Sequence, residues 1–312
     1  MNRSILYHYT SLDAFHQIIR AGRIRATHYR HLSGDPQELQ FGVTELLTAV
    51  KKHPVDELQR EYKEYLVWFV EQFETEELQV YVASFSEQED SYHHWCKYAP
   101  DGVAIGFCRE RVVSGFPIDI TRRCGGVRVD NPVRPDPGNR FVQCQYMHTL
   151  DLPALVAKRF FTPGSLPAIF AAPIPDSMFN PLLAASVYRT ICSIKREDFV
   201  EDVECRCFHL NPDELDYPIK TDDKGLSFIE MQFDPVEFVK EVWVAPDACH
   251  QTCEPVVESL VDQGLLVCDV FRSRRTGSPM MPPSSSSPNG RSYYSDANSY
   301  DTDDKKGDGG FQ

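Results

Sequence analysis

The sequence predicts an α+β fold, and three observations carry that expectation. Stretches rich in β-branched and aromatic residues, alternating with period two, are interleaved with stretches whose apolar residues recur every three or four positions. The two kinds follow one another in mixed order, as roughly eight strands and six helices. The composition, 42% hydrophobic and 12% aromatic, belongs to a chain with a core.

The elements read as follows. Leu6-Tyr7-His8-Tyr9-Thr10 is a short strand. Leu12 to Arg20 is an amphipathic helix, Gly22 a stop, and Arg23 to Thr27 a second extended run. From about 44 to 78 the pattern is helical. Leu46, Leu47 and Val50 share one face, and Leu58, Tyr62, Tyr65, Leu66, Phe69 and Phe73 repeat at helical spacing. Pro54 separates two helices there and suits the first turn of the second. Val80–Ser86 is a strand; an acidic run then leads into a helix carrying Tyr92, Trp95 and Tyr98. Pro100-Asp101-Gly102 turns into a strand over 102–107. Residues 112–128 read as turns with short strands, 132–138 as a loop, and 141–146 as a strand. Residues 163–181, rich in proline and small residues, fit no single element. Leu182–Ile194 reads as a helix, and 203–210, 226–233 and 241–245 as strands. A helix over 249–264, closed by Gly264, and a last strand over 265–271 complete the pattern.

About 270 residues can bury a substantial core, as one large domain or two small ones. The expected organisation is a single α+β domain over 1–271, with the helical 44–78 region as an insertion. From 272 onward the chain turns to Ser, Pro, Gly, Asn and Asp with almost no aliphatic residue, which predicts a disordered tail. Tyr293, Tyr294 and Tyr300 stand among Ser and Asp there; a solvated tail is the simpler reading and a docking or modification segment the alternative.

The net charge of −14 disfavours non-specific binding to nucleic-acid backbone or anionic membrane. It leaves room for a local basic cleft, and Arg20, Arg23, Arg25 and Arg30 cluster near the first strand. No run of about 18 apolar residues offers a membrane span, and no signal peptide precedes the first strand. Ten scattered cysteines then suggest reduced thiols and a cytoplasmic setting. Cys249, His250 and Cys253 lack the second cysteine pair that a structural zinc site needs, so no metal is expected. Cys205-Arg206-Cys207 alternates like a strand with both thiols on one face. His16, His28, His31, His93, His94 and Asp35 are scattered; a metal-dependent hydrolase is a weak reading, and most of these histidines are expected at the surface.

Four segments could build one site. His8-Tyr9-Thr10 ends the first strand beside a helix start, where a histidine can hold a ligand or simply cap the strand. Ser84 and Ser86 share a strand face and can bond hydroxyls or a carboxamide, or merely begin a turn. Trp95 and Tyr98 lie one helical turn apart; Trp95 reads as core, while Tyr98 offers a stacking face and a hydroxyl. In Phe199–Arg206, Glu201 precedes a strand on which Glu204 and Arg206 share a face. An acid and an arginine alternating with Val203, Cys205 and Cys207 need a polar cavity or each other. A sheltered carboxylate suits a reaction in which positive charge develops.

These pieces resemble, in collinear order from about 5 to 268, the bacterial family catalogued as domain of unknown function 2971. They are His-Tyr-Thr, helix and Gly; Ser33–Glu38; Ser-Phe-Ser-Glu with a following Trp-x-x-Tyr; Asp-Gly-Val-Ala-Ile-Gly-Phe; a strand ending in Tyr146; Phe-x-Glu-x-x-Glu-x-Arg; and Glu-Val-Trp-Val-Ala-Pro. The chain departs from that pattern at Gly34 and Cys205, neither a charged position. That family is in turn similar, more distantly, to the ADP-ribosyltransferase superfamily. The resemblance implies mainly antiparallel sheets in a split core, with NAD as substrate. It implies that His8 binds the ribose of NAD, that Thr10 approaches the nicotinamide amide, and that Tyr9 and Arg206 belong to the same binding group. Ser84 or Ser86 would take the middle-strand place and Tyr98 the aromatic platform. Glu204 would be the catalytic acid, with Glu201 second for that role. The implied activity is ADP-ribosyl transfer to a protein or nucleic-acid acceptor, in a toxin or phage-defence setting. The alternative is a non-catalytic nucleotide- or protein-binding module of the same fold.

Overall fold

The computed structural model describes residues 4–32, 37–75, 80–119, 133–135, 139–162, 181–210, 218–246 and 250–274. The expected tail beyond Arg274, the 163–180 stretch, Asp35 and Cys249 lie outside them. The elements in order are β1 (Ile5–Ser11), α1 (Leu12–Ala21), β2 (Arg23–His28), α2 (Glu38–Lys52), α3 (Glu57–Thr75), β3 (Val80–Ser86), α4 (Tyr92–Tyr98) and β4 (Gly102–Cys108). Next come α5 (Arg109–Ser114), β5 (Pro117–Asp119), β6 (Val133–Pro135), β7 (Asn139–Gln143), β8 (Gln145–Tyr146), α6 (Leu152–Phe160), α7 (Pro181–Ser193) and β9 (Ile194–Lys195). A 3-10 turn, Glu197–Asp202, leads into β10 (Glu204–Leu210), β11 (Lys220–Thr221), β12 (Ser227–Gln232), α8 (Pro235–Phe238), β13 (Val239–Val244), α9 (His250–Asp262) and β14 (Asp269–Arg272). The fold is α+β with a mixed, mainly antiparallel sheet, as the sequence predicts.

Among the described residues, ten strands form the main sheet. β1 pairs with β4 along its whole length, from Ile5↔Cys108 to Ser11↔Gly102. β4 continues to β13, and β13 to β14, the one parallel pair of this sheet among the described residues. On the other side β2 pairs with β12, and β12 with β11. β3 joins these halves. One of its edges is filled by β10, from Glu204↔Ser86 to Leu210↔Val80. The other is shared: Tyr81 and Val82 pair with β2, and Ser86 alone pairs with Tyr7 of β1. Between those contacts, Ala83, Ser84 and Phe85 have no ladder partner on that edge among the described residues. The sheet is therefore split at the middle of β3.

Strand alternation assigns the two faces. Tyr81, Ala83, Phe85, Cys205 and Cys207 point into one core with Phe15, Ile18 and Ile19 of α1 and Val257 and Leu260 of α9. Both thiols of Cys205-Arg206-Cys207 thus share a face. Val80, Val82 and Phe208 point the opposite way, under α2, α3, α6 and α7. Tyr7, Tyr9 and Ala104 pack beneath Trp95 of α4. Between these last two apolar clusters the same face carries Ser86, Glu204 and Arg206, all buried.

Local chemistry explains the element ends. Ser11 caps α1 by accepting the Ala14 amide, and Gly22, at φ 57°, closes it in the left-handed region. Gly264 (φ 71°) closes α9, with the Leu265 amide returning to the Leu260 carbonyl at 3.0 Å. That closure corrects the last strand. Leu265–Cys268 is not extended into the sheet, and only Asp269–Arg272 come level with Glu241–Val244. Residues 109–114, expected partly as turn, form the helix α5, too short to show a period; Gly115 ends it. The strand expected over 141–146 breaks at Cys144, whose amide turns to the Glu204 carbonyl at 2.9 Å; β8 then pairs with β9 instead. α6 is capped by Asp151 with a proline in its first turn, a start signal that its short apolar face obscured.

No helix among the described residues is long and apolar enough to cross a membrane. Gly102 has no room for a side chain: an added Cβ would lie 2.0 Å from the Thr10 carbonyl oxygen. Gly102→Ala should therefore cost about 3 kcal/mol or more through backbone displacement of β1. Urea denaturation compared with wild type is the check; a loss under about 0.5 kcal/mol would contradict the packing of β1 on β4.

Candidate functional site

The split in β3 opens onto a cavity of about 360 Å³. Tyr7, His8 and Tyr9 line it from β1, Val82 through Ser86 from β3, and Arg25 and Thr27 from β2. His94, Lys97 and Tyr98 reach it from α4, and Glu38, Lys195, Asp202 and Glu204 from the buried face.

His8 is half-buried and its ring leans on Phe85, 5.9 Å between centroids. Its Nδ1–H donates to the Ser84 carbonyl at 3.0 Å across the gap, which leaves Nε2 an acceptor. Burial lowers its pKa, against the opposing pull of that carbonyl, so the ring enters the cavity neutral. Tyr9 stacks on His94 and meets Trp95 edge-on. Its hydroxyl donates to the Gln88 carbonyl at 2.8 Å and accepts the Ser91 amide. Tyr9 thus anchors the loop leading into α4. Thr10 is buried against β4 and does not line the cavity.

Ser84 is exposed in the gap. Ser86 is 2% exposed; its hydroxyl donates to the Asp202 carbonyl at 3.0 Å and accepts the Gln88 amide. It fixes the chain before β10. Glu201 is exposed and pairs with His93 at 3.0 Å, outside the cavity lining.

Glu204 and Arg206 share the buried face, as alternation predicts. Arg206 is 1% exposed and grips Glu204 with two hydrogen bonds, Nε to Oε1 at 2.8 Å and Nη2 to Oε2 at 3.0 Å. Nη2 also meets Glu38 Oε2 at 2.6 Å, and Nη1 bonds the Cys192 carbonyl. Lys195 Nζ donates to Glu204 and to Asp202 Oδ2, the latter at 2.8 Å. Asp202 Oδ1 accepts from His93 Nε2 at 2.8 Å and Lys97 at 3.2 Å. Three carboxylates and three cations are thus interlocked: Glu38, Asp202 and Glu204 with Lys97, Lys195 and Arg206. Arg206 stands behind Glu204, outside the cavity lining.

Burial alone would raise the Glu204 carboxyl, but Arg206 and Lys195 outweigh it and hold the pKa well below the usual range. Asp202 is likewise lowered, burial being overcome by Lys195, His93 and Lys97. Burial opposes the Lys195 ammonium, and the Glu204 and Glu38 charges more than restore it. Burial and the neighbouring Asp202 push the Tyr98 phenol up, so it stays a neutral hydroxyl. The site is therefore a set of fixed charges with both signs.

The expectation of surface histidines fails for two of the five, while His16, His31 and His93 are partly exposed. His28 and His94 are buried, and His93 and His94, adjacent on α4, converge on one residue. His93 takes the Asp202 carboxylate and His94 Nε2 its carbonyl, at 3.0 Å. The basic cluster also disperses. Arg23 pairs with Glu230, Arg20 bonds Gln263, Arg30 bonds Tyr29, and only Arg25 of the four lines the cavity. Sequence reasoning missed Glu38, Lys195, Asp202, His94 and Lys97. One signal was present: Asp202 sits in the acidic run before Glu204. Lys195 opens the charged Lys195-Arg196-Glu197-Asp198 and carries no sign of burial in the sequence.

Val203 joins Asp202 to Glu204 at φ 39° and ψ 50°, in the left-handed region that a β-branched residue avoids. The turn brings the acidic side chains on either side of Val203 onto the Lys195 ammonium, at a cost of about 1–3 kcal/mol. Val203→Gly should accordingly raise stability by about 1 kcal/mol. Thermal and urea unfolding would measure it, and a destabilised Gly variant would show that Val203 is held by packing.

His94 gives a pH signature. Burial drops its pKa to about 4; the Asp202 charge partly opposes this, and His93 adds to it. The unfolded chain, near 6.5, binds the proton first, so stability is full above pH 6.5 and falls on acidification towards pH 4. That loss, on the order of 2 kcal/mol, should be absent in His94→Phe. Urea titrations between pH 7.5 and 4.5 test this; parallel curves for the two proteins would refute it.

No protein-family model, curated protein or solved structure matches the chain, so the family resemblance rests on its own residues.

Proposed function

We propose that the cavity binds NAD, or a related nucleotide, and that the protein transfers ADP-ribose to a macromolecular acceptor. The observation that carries this reading is convergence. His8, Ser84, Ser86, Tyr98 and Glu204, drawn from four elements, line one cavity at a split in the sheet. In this reading the neutral His8 accepts from a ribose hydroxyl through Nε2. Tyr98 supplies an aromatic wall with a hydroxyl. Glu204, kept ionised, faces the sugar carbon on which positive charge develops.

The bond broken is the one between the ribose C1′ and the nicotinamide nitrogen. Its electron pair leaves with nicotinamide, which becomes neutral. A nucleophile of the acceptor, or water, then bonds to C1′ and releases its proton to solvent water. Glu204 contributes electrostatically and forms no bond. Glu201, exposed and turned to His93, drops out of this role. The acceptor would be a protein or nucleic acid, the net charge disfavouring the latter.

One observation favours the second reading, a binding module without turnover. Both Glu204 oxygens are engaged by Arg206 and Lys195, which diminishes the field that Glu204 offers a cation.

Labelled NAD with purified protein and a cell lysate separates the two. Transfer or NAD cleavage is expected in wild type, and Glu204→Gln should lower the rate by roughly 10²–10³. Retained stabilisation of that variant by NAD would show that it still folds and binds. Stabilisation by NAD with no turnover in wild type would establish the binding module. Equal rates in both proteins would remove Glu204 from the chemistry.

A further inference from the structure

Two buried acceptors in the cavity wall are left over by the scaffold. Glu38 is 5% exposed. Its Oε2 takes Arg206 at 2.6 Å, while Oε1 receives no hydrogen bond from any described residue, Lys195 standing off at 3.5 Å. The other carboxylates in this wall differ: Asp202 and Glu204 have both oxygens bonded. His94 is 3% exposed. Its Nε2–H is spent on the Asp202 carbonyl, so Nδ1 bears the lone pair, and no described residue donates to it. His8 adds a third acceptor in the same cavity, since its proton sits on Nδ1.

A buried acceptor is costly until a donor meets it. A phosphate or carboxylate would bring only further acceptors. We infer that Glu38 and His94 are ligand-binding residues, and that the group seated against them bears donors: sugar hydroxyls or a carboxamide. This rests on the reading of the cavity as a nucleotide site and states which part of the nucleotide enters it.

Glu38→Gln inverts the hydrogen-bond polarity at this point. Arg206 can only donate, so the amide oxygen must stay with it and the NH₂ takes the place of Oε1. The experiment is calorimetric titration of the full chain with two probe pairs: adenosine against 2′,3′-dideoxyadenosine, and nicotinamide against nicotinic acid. At least one donor-bearing probe should bind about tenfold tighter than its partner, ~1.4 kcal/mol. The pair that differs identifies hydroxyl or carboxamide as the source. In Glu38→Gln that preference should shrink to near unity or reverse. His94→Phe, which keeps the ring against Tyr9 but has no acceptor, should weaken the favoured probe by a similar factor and serves if the Gln variant does not fold. No preference in either pair, no binding of any probe, or a preference unchanged in both variants would overturn the inference. NAD cleavage on the same samples keeps the two ideas apart. Preference without cleavage sinks the enzyme and leaves the acceptors; cleavage without preference does the reverse.

Discussion

The grip of Lys195 on Asp202 and Glu204 is the interaction on which the rest of this face depends. It ties β9 to the 3-10 turn and to the start of β10. Arg206 extends the tie to the first turn of α2 through Glu38. Every charge but that of Lys97, which stays exposed, is removed from water, and such a cluster is tolerable only when its buried members are matched. Here the match is close, with three acids against three cations in contact. Loss of any buried member leaves an uncompensated charge behind, so Glu38, Lys195, Asp202, Glu204 and Arg206 hold or fail together.

That cluster also sets where the polar and apolar parts of the face meet. Apolar helices cover Val80, Val82 and Phe208 on one side, and α4 covers Tyr7 and Tyr9 on the other. A continuous apolar layer would have sealed the face. Because Ser86, Glu204 and Arg206 stand in between, the helices part there, and the cavity lies where they part.

Much of the fold was legible because it rests on local periodicity. The pair α2 and α3 follows from the apolar spacing and Pro54, and β3, β4 and β12 from short apolar and aromatic runs. What escaped were elements shorter than their own period, such as α5, and events set by distant partners, such as the break at Cys144. For the site, Glu204 and Arg206 were readable because an acid and an arginine on one face of an apolar strand demand each other. His8, Ser84 and Ser86 were readable as positions, but the use of Ser86 as a bracket for Asp202 was not. Glu38 and His94 were unreadable as ligands. Their significance lies in a hydrogen bond not made, which only the three-dimensional surroundings reveal.

The split in β3 has a mechanical consequence. The edge of β3 that faces the cavity holds β1 through Tyr7↔Ser86 and β2 through Thr27↔Val82 and His28↔Tyr81. Each flanking ribbon is stiffened by its own longer ladder, β1 with β4 and β2 with β12. On this edge three residue pairs carry the whole joint, the shared core beneath holds the ribbons in place, and the His8 to Ser84 contact is the strut that spans the gap.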